Sequence, residues 1–196
     1  TLIDIGDIGA SAAVTFNDSG PNTYSDDFSI TLDDSSAGTI TFTGSTSFAG
    51  AAGLVASTER DIVFNTGAVL STVDGNLMLN GNTGGLTTGN LVGIDVNGAA
   101  ITTTGAGDIT LTGQGGDTGS GNHGIQVRAA GVVTSTFFGP TAGTITLSGT
   151  GGAGTATNRG VYITGSGSAV TSVDGNISVL GTGGNGSANS NHGIRV

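Results

Sequence analysis

Carboxylates are the most numerous ionisable side chains in this chain, and half of them lie in its first 34 residues. Calcium takes about six to eight oxygen ligands in flexible geometry, so an acidic cluster of this kind could bind it. The candidate ligands are Asp4, Asp7, Asp26, Asp27, Asp33 and Asp34. No stretch matches an EF-hand loop, and Gly115-Gly116-Asp117 is only part of the Gly-Gly-x-Gly-x-Asp calcium repeat. Surface solvation is therefore the favoured role of the cluster, and calcium is the only cofactor considered.

The remaining acidic residues do not form the pairs that sugar-cleaving enzymes use. Hydrolases need two carboxylates presented from adjacent elements, and lyases need a base beside carboxylates. The later aspartates fall at unrelated positions of the sequence pattern: Asp61, Asp74, Asp95, Asp108, Asp117 and Asp174. With no Trp and only two Tyr, little surface is left for stacking on sugars. The sequence therefore predicts no enzymatic activity, with a polysaccharide-active β-helix enzyme as the least favoured alternative.

Both histidines, His123 and His192, occur in the same short sequence, Asn-His-Gly. The repeat between them has Arg159 at that position, and an earlier repeat has Val92. Two coils of a β-helix would separate the two His by ~10 Å, which is too far for them to share one metal ion. We therefore expect each to be a loop residue whose ring covers neighbouring backbone, and we predict no metal site.

Cysteine and lysine are both absent, which removes several kinds of site. Without Cys there are no disulfides and no thiolate metal ligands, so stability must come from packing and backbone hydrogen bonds. Four Arg and a formal net charge of −10 make nucleic acid a poor partner. No segment reaches the ~20 apolar residues that cross a bilayer, so no membrane span is predicted.

The elements that position these side chains are repeats. A Gly-x-Ile-x-Leu-x-Gly pattern, with other apolar residues allowed, spans 38–44, 75–81, 107–113, 143–149 and 175–181, with starts 37, 32, 36 and 32 residues apart. Aligning it predicts two inward columns: Ile40, Leu77, Ile109, Ile145 and Ile177, then Phe42, Leu79, Leu111, Leu147 and Val179. A second alternating segment recurs at 61–64, 93–96, 124–127, 160–163 and 193–196. A third, looser one surrounds Leu70, Ile101, Val133 and Val170, so each repeat carries three short strands with one buried face.

Three strands per repeat predict an all-β chain folded as a right-handed parallel β-helix, or solenoid, of about six coils. Residues 36–196 form the repeats of 32–37 residues, and residues 1–35 form a divergent N-terminal coil or a separate cap. The longest connection, such as 182–192, predicts a long Gly-rich loop on one side of every coil. Short turns at Asp74-Gly75 and Asp174-Gly175 are expected to use the positive φ that Gly accommodates.

Phe137 and Phe138 lie side by side in a four-residue expansion of one short connection. Adjacent residues of an extended segment cannot both point inward. One ring is thus a candidate interaction residue that anchors a neighbouring molecule, and local packing under the loop is the alternative.

The chain resembles the repeat regions of giant bacterial cell-surface proteins, the filamentous-haemagglutinin-like and autotransporter-passenger-like adhesins. The resemblance rests on Gly-Asn-Ile-x-Val/Leu-x-Gly-x-Gly-Gly-x-Gly, on Asn-His-Gly-Ile, and on Ala-Val-Leu-Ser-Thr-Val-Asp-Gly-Asn-Leu. It covers about residues 36–196 and is one of sequence texture and period. It implies an extracellular or cell-surface location and identifies no specific ligand. Cell-surface or matrix glycans are considered as further partners.

These observations together predict a non-enzymatic segment of an extracellular fibre or adhesin, stacked end to end through its coils. Neighbouring copies, or further repeats of the same polypeptide, are the expected partners. The chain starts at Thr1 and stops within a repeat at Val196, so we expect it to be a unit of a longer fibre. The alternative is a subunit of a self-assembling filament in which one chain's terminal strand completes the next chain's sheet.

Overall fold

The computed structural model describes residues 3–5, 13–17, 20, 22–32, 38–85 and 87–196, and within them the chain is all β. Twenty strands form three parallel sheets. Sheet 1 contains β1 (Ile3–Ile5), β4 (Phe28–Leu32), β7 (Leu54–Thr58), β10 (Leu77–Gly81), β13 (Ile109–Gln114), β16 (Ile145–Thr150) and β19 (Ile177–Thr182). Sheet 2 contains β2 (Val14–Phe16), β5 (Ile40–Phe42), β8 (Ile62–Phe64), β11 (Ile94–Asn97), β14 (Ile125–Arg128), β17 (Val161–Thr164) and β20 (Ile194–Arg195). Sheet 3 contains β3 (Asn22–Tyr24), β6 (Ser45–Phe48), β9 (Val69–Thr72), β12 (Ala100–Thr103), β15 (Val132–Ser135) and β18 (Ala169–Ser172).

The chain visits the three sheets in turn, so every third strand pairs with its predecessor. Coil 1 is β1–β3, coil 2 is β4–β6, and the series continues to coil 6, β16–β18, with β19 and β20 beginning a seventh. The described strands therefore confirm a parallel β-helix with three strands per coil and about six coils. Strands contributed by the N-terminal residues 3–32 belong to the same three sheets as the later repeats.

Alternation of apolar and polar residues determines which face of each strand is buried. In sheet 1, Leu77 pairs with Ile109, which pairs with Ile145, and all three side chains are buried. Between the inward residues, Met78 and Thr110 lie in the outward column. Full burial of an aliphatic side chain is worth about 1.5–3 kcal/mol, so a column that continues from coil to coil stabilises the stack.

Sheet 3 confirms the third predicted column and adds polar residues to the interior. Leu70, Ile101 and Val133 are in register and fully buried. The next inward column contains the buried hydroxyls of Thr72 and Thr103. Each donates a 3.0 Å hydrogen bond to a backbone carbonyl of the preceding coil. Threonine can thus occupy the interior where its hydroxyl satisfies a backbone acceptor.

The predicted assignment of Ile40 and Phe42 to the column of Leu77 is wrong. Both lie in sheet 2, where Ile40 pairs with Ile62 and Phe42 pairs with Phe64. The preceding strand that pairs with β10 is β7, in which Thr58 stands opposite Gly81. Alternating apolar and polar residues with flanking Gly therefore occur in strands of both sheet 1 and sheet 2. The motif alone does not show to which sheet a strand belongs.

The long Gly-rich loop is also absent from some coils, contrary to the prediction that every coil carries it. Only residues 59–61 connect β7 to β8, whereas residues 82–93 connect β10 to β11. The paired residues Leu54 and Leu77 are consequently 23 positions apart, and the paired residues Ile109 and Ile145 are 36 apart. Coils 2 and 3 are short, and the loop begins with coil 4.

The Asp-Gly turns use glycine for a different reason from the one predicted. Neither Gly75 nor Gly175 has positive φ. Instead, a Cβ on Gly75 would lie 1.9 Å from the carbonyl oxygen of Ala52, and one on Gly175 would lie 2.1 Å from that of Gly143. Close contact between the backbones of successive coils is what excludes a side chain at both positions.

Candidate functional site

All four arginines and both histidines of the chain lie on sheet 2 or in the turn just before its strands. Arg60, His123, Arg159 and His192 each stand two residues before β8, β14, β17 and β20, respectively. Arg128 ends β14, and Arg195 lies in β20 in register with Tyr162. We call this surface the cationic face. In a chain of net charge −10 that has no lysine, it gathers every side chain that can carry positive charge.

A ladder of asparagines fixes the turn that precedes these strands. The side-chain oxygen of Asn122 accepts a hydrogen bond from the backbone N–H of Leu91, at 3.1 Å. The Asn158 oxygen does the same for the N–H of Asn122, and the Asn191 oxygen for that of Asn158, at 3.1 and 2.9 Å. Each asparagine thus fastens its coil to the previous one immediately before His123, Arg159 or His192.

Glycine follows each of these His and Arg residues because the backbones meet there. A Cβ on Gly124 would lie 2.4 Å from the amide nitrogen of Thr150, and one on Gly160 would lie 2.4 Å from that of Thr182. The Asn-His-Gly and Asn-Arg-Gly sequences therefore combine a side chain that bridges coils, a variable residue and a close backbone contact. The variable residue is held in a fixed place from coil to coil.

His123 serves the backbone, as its sequence context predicts. It is buried, and its Nδ1 accepts a 3.2 Å hydrogen bond from the backbone N–H of Arg159. Burial, and next to it the positive charge of Arg159, lower the pKa of His123 to about 4. The ring is therefore neutral at physiological pH and carries its proton on Nε2.

Arg159 is the most unusual member of the cationic face. Its residue is only 6% exposed, and its guanidinium carbon lies 4.1 Å from the centre of the Tyr162 ring. The Arg195 guanidinium approaches the same ring at 5.9 Å. Burial is the main cause of a lowered pKa at Arg159, the Tyr162 phenol opposes the shift, and Arg195 adds to it.

Two other arginines of the face are paired with carboxylates. Arg128 makes a two-pronged contact with Asp95, at 3.0 Å from Nε to Oδ1 and 2.8 Å from Nη2 to Oδ2. This contact is the main cause of a raised pKa at Arg128. Nε of Arg60 lies 3.3 Å from Asp61 Oδ1. Within the described chain, no carboxylate forms an ion pair with Arg159 or Arg195.

The described aspartates act mainly as acceptors for backbone N–H groups of neighbouring coils. Asp27 accepts from Gly53 at 2.8 Å, Asp74 from Ala106 at 2.9 Å, and Asp108 from Thr144 at 2.7 Å. Asp117 accepts from Gly89, and Asp174 from Gly139. These carboxylates are occupied in holding turns together.

The predicted calcium ligands are only partly visible in the structure. Asp7, Asp33 and Asp34 lie outside the described residues, and for Asp4 only the backbone of β1 is described. Asp26 and Asp27 lie in the turn before β4, where the Asp27 carboxylate accepts a hydrogen bond from the backbone N–H of Gly53. Across the described ranges, no three His, Cys, Asp or Glu side chains come close enough to hold one metal ion.

Phe137 and Phe138 point in different directions, as adjacent residues must. Phe138 is 80% exposed, whereas Phe137 is half-buried and packs close to Gly139. Phe138 is thus the ring of the pair that a neighbouring molecule can reach. Its role as an anchor stays a prediction.

The sequence interpretation missed the cationic face, although the repeat contains the signal for it. It aligned His123, Arg159 and His192 but left out the next outward column, which runs Asp95, Gln126, Tyr162 and Arg195. Reading both columns together would have placed Arg159, Tyr162 and Arg195 side by side.

Compared with known proteins, the chain matches no family model, no curated protein and no solved structure. Nowhere in the described part of the chain is there a helix with the length and apolarity needed to cross a bilayer.

Proposed function

We propose that this chain is a non-enzymatic structural segment of an extracellular fibre or cell-surface adhesin. The observation that carries the proposal is the continuity of three in-register parallel sheets from coil to coil. Buried columns and backbone hydrogen bonds run along one axis, so force applied along the axis is shared by every coil. A parallel β-helix is quasi-one-dimensional, and copies of the unit extend it without a change of design.

The engagement of the aspartates supports a structural role over catalysis. Seven described carboxylates each have a backbone or side-chain partner: Asp27, Asp61, Asp74, Asp95, Asp108, Asp117 and Asp174. A catalytic pair needs one carboxyl group free to give or take a proton at the substrate. Cleavage of any member of a polysaccharide panel, abolished by replacing one aspartate, would overturn the non-enzymatic part of the proposal.

Charge distribution favours a second candidate, a filament built from separate copies. Residues 1–59 contain seven Asp and one Glu without any Arg, whereas residues 119–196 contain three Arg and one Asp. Opposite charge at the two ends favours head-to-tail contact, in which the parallel strands of one copy would continue those of the next. A head-to-tail contact that does not close into a ring generates an open filament.

Electron microscopy of a single unit and of two genetically fused units tests both candidates. A segment of a longer fibre predicts one rod for the fused pair, about twice as long as the rod of the single unit and of equal width. A filament subunit predicts that the unfused chain also forms rods, with lengths that rise with concentration and fall with salt. Two separate globules joined by a tether in the fused protein would contradict the fibre proposal.

Location at the cell surface is tested on the native cells with an antibody against the purified chain. The proposal expects labelling of intact cells. Labelling that requires permeabilised cells would contradict it.

A further inference from the structure

The guanidinium of Arg159 lacks the partners that a buried cation requires. Its Nε is shut off from solvent and has no hydrogen-bond partner among the described residues. Its charged group contacts the Tyr162 ring, which attracts a cation weakly and accepts no conventional hydrogen bond in that geometry. Burying a charge without a counter-ion is costly, so the arrangement favours the binding of an anion.

The surroundings supply further positive charge rather than neutralising it. Arg195 stands in the next coil with its guanidinium 5.9 Å from the centre of the Tyr162 ring, and no carboxylate of the described chain pairs with it. Beyond residue 118 the chain has one acidic residue, Asp174. Its carboxylate accepts a hydrogen bond from Gly139 in the turn that follows sheet 3. Among the described residues, none therefore supplies a counter-ion to Arg159 or Arg195.

We propose that Arg159, Tyr162 and Arg195 form a binding site for an acidic polysaccharide that carries its charge as carboxylates. A guanidinium offers a planar fork of donors that matches a carboxylate with two parallel hydrogen bonds. The Tyr162 ring holds that fork in place, as the 4.1 Å contact shows. Arg159 is thus arranged in advance for a planar monoanion.

The periodicity of the rod favours an extended, polymeric ligand over a single small acid. Arg159 and Arg195 belong to successive coils, whose strands are ~4.8 Å apart. Arg128 and Arg60 lie outside the proposed site, because Asp95 and Asp61 already pair with them. A polymer with several carboxylates can contact more than one coil, and each further contact raises its overall affinity.

This inference deepens the proposed function, because the partner it names is a glycan of the surface or matrix where the fibre would lie. The probe is a short oligogalacturonate, which has one carboxylate on each sugar, and binding is measured by calorimetry at low and at moderate salt. The ligand control is the same oligosaccharide with its carboxyl groups methyl-esterified. The protein variants are Arg159→Gln and Arg195→Gln, with Arg60→Gln as the matched control at the same turn position.

The proposal expects the oligogalacturonate to bind, and the methyl-esterified form not to bind. Arg159→Gln should weaken binding at least tenfold, Arg195→Gln should weaken it by a smaller factor, and Arg60→Gln should leave it unchanged. Affinity should fall as salt rises. Circular dichroism should show an intact fold in Arg159→Gln, and Arg195→Gln repeats the test at an exposed residue.

Three results would overturn the inference: equal binding of the esterified probe, equal binding by Arg159→Gln, or no binding at all. Occupation of the site by a second copy would overturn it too. Sedimentation would show this as a mass that rises with concentration for the wild type but not for Arg159→Gln. The three probe-binding results do not alter the length of the rod of two fused units, so failure of this inference is distinguishable from failure of the fibre proposal.

Discussion

The two halves of the rod share the same pairing of parallel strands but differ in the side chains that fill the interior. In the short N-terminal coils, Phe16, Phe42 and Phe64 stack face to face, with ring centres 4.6 and 4.4 Å apart. The same inward column continues as Val96 and Val127 in the longer coils. In these longer coils, the long Gly-rich loop and the asparagine ladder precede the strands of sheet 2. Large rings stabilise a coil that lacks the loop, whereas small aliphatics suffice where buried hydrogen bonds tie the coils together.

Replacing Gly124 by Ala should have the largest effect and should be confined to the long coils. The new Cβ would lie within 2.4–2.8 Å of three backbone groups, so coils 5 and 6 could not stay paired. We expect a loss of at least about 4 kcal/mol in the free energy of unfolding, measured with urea. Gly20→Ala is the control, because no described atom lies within 4 Å of its added methyl group. Equal stability of the two variants would contradict the close contact.

Phe42→Ala should be the most damaging side-chain deletion in the short coils. Its ring lies between two others and is fully buried, so truncation leaves a cavity and should cost about 3–5 kcal/mol. Hydrogen exchange should show faster opening of β5 and β8, with β14 and β17 still protected. Phe138→Ala, at an exposed ring, should change the stability by less than about 0.5 kcal/mol. An equal loss of hydrogen-exchange protection in all coils of Phe42→Ala would show that the two halves unfold as one unit.

Removal of one asparagine from the ladder tests the long coils in turn. Asn122 accepts from Leu91 and donates to Thr118 and Ala153, so Asn122→Ala should cost about 2–3 kcal/mol. Asn158 occupies the same position one coil later, but its side-chain nitrogen is buried and has no hydrogen-bond partner among the described residues. Asn158→Ala should therefore cost less in the same urea measurement. A larger loss of stability in Asn158→Ala than in Asn122→Ala would contradict the asparagine hydrogen bonds as the source of stability.

The smallest predicted effect concerns pH and His123, which is neutral in the folded chain. Its folded pKa, about 4, is below the ordinary value of 6.5, so the unfolded chain takes up the proton first as pH falls. The stability that the neutral ring contributes is complete above pH 6.5, is lost between pH 6.5 and about 4, and is absent below that. The stability advantage of the wild type over His123→Asn should shrink by about 3 kcal/mol across this range. A difference between the two proteins that stays constant from pH 7 to pH 4 would contradict the buried, neutral ring.

Strand alternation was sufficient to predict the solenoid, because inward residues such as Ile109 and Ile145 repeat whatever the length of the loop between them. Loop length and sheet identity were harder to predict. The Gly38–Gly44 segment reads like a sheet 1 strand, and only the pairing of Phe42 with Phe64 reveals sheet 2. The cationic face depends on residues from different coils, Arg159 and Arg195, which are 36 positions apart. Periodicity brings them together only after both columns are aligned.

The most direct test of the account is the distance between outward residues of sheet 3, measured by electron spin resonance. Thr23, Ser47 and Thr171 lie in one column, with Thr171 five coils from Thr23 and four from Ser47. The chain has no cysteine, so spin labels attach only at introduced ones. Stacked coils predict backbone separations of about 24 and about 19 Å for the pairs Thr23–Thr171 and Ser47–Thr171, although these residues are 148 and 124 positions apart in sequence. Separations that do not differ by about one strand spacing, or that exceed about 35 Å, would contradict a parallel β-helix.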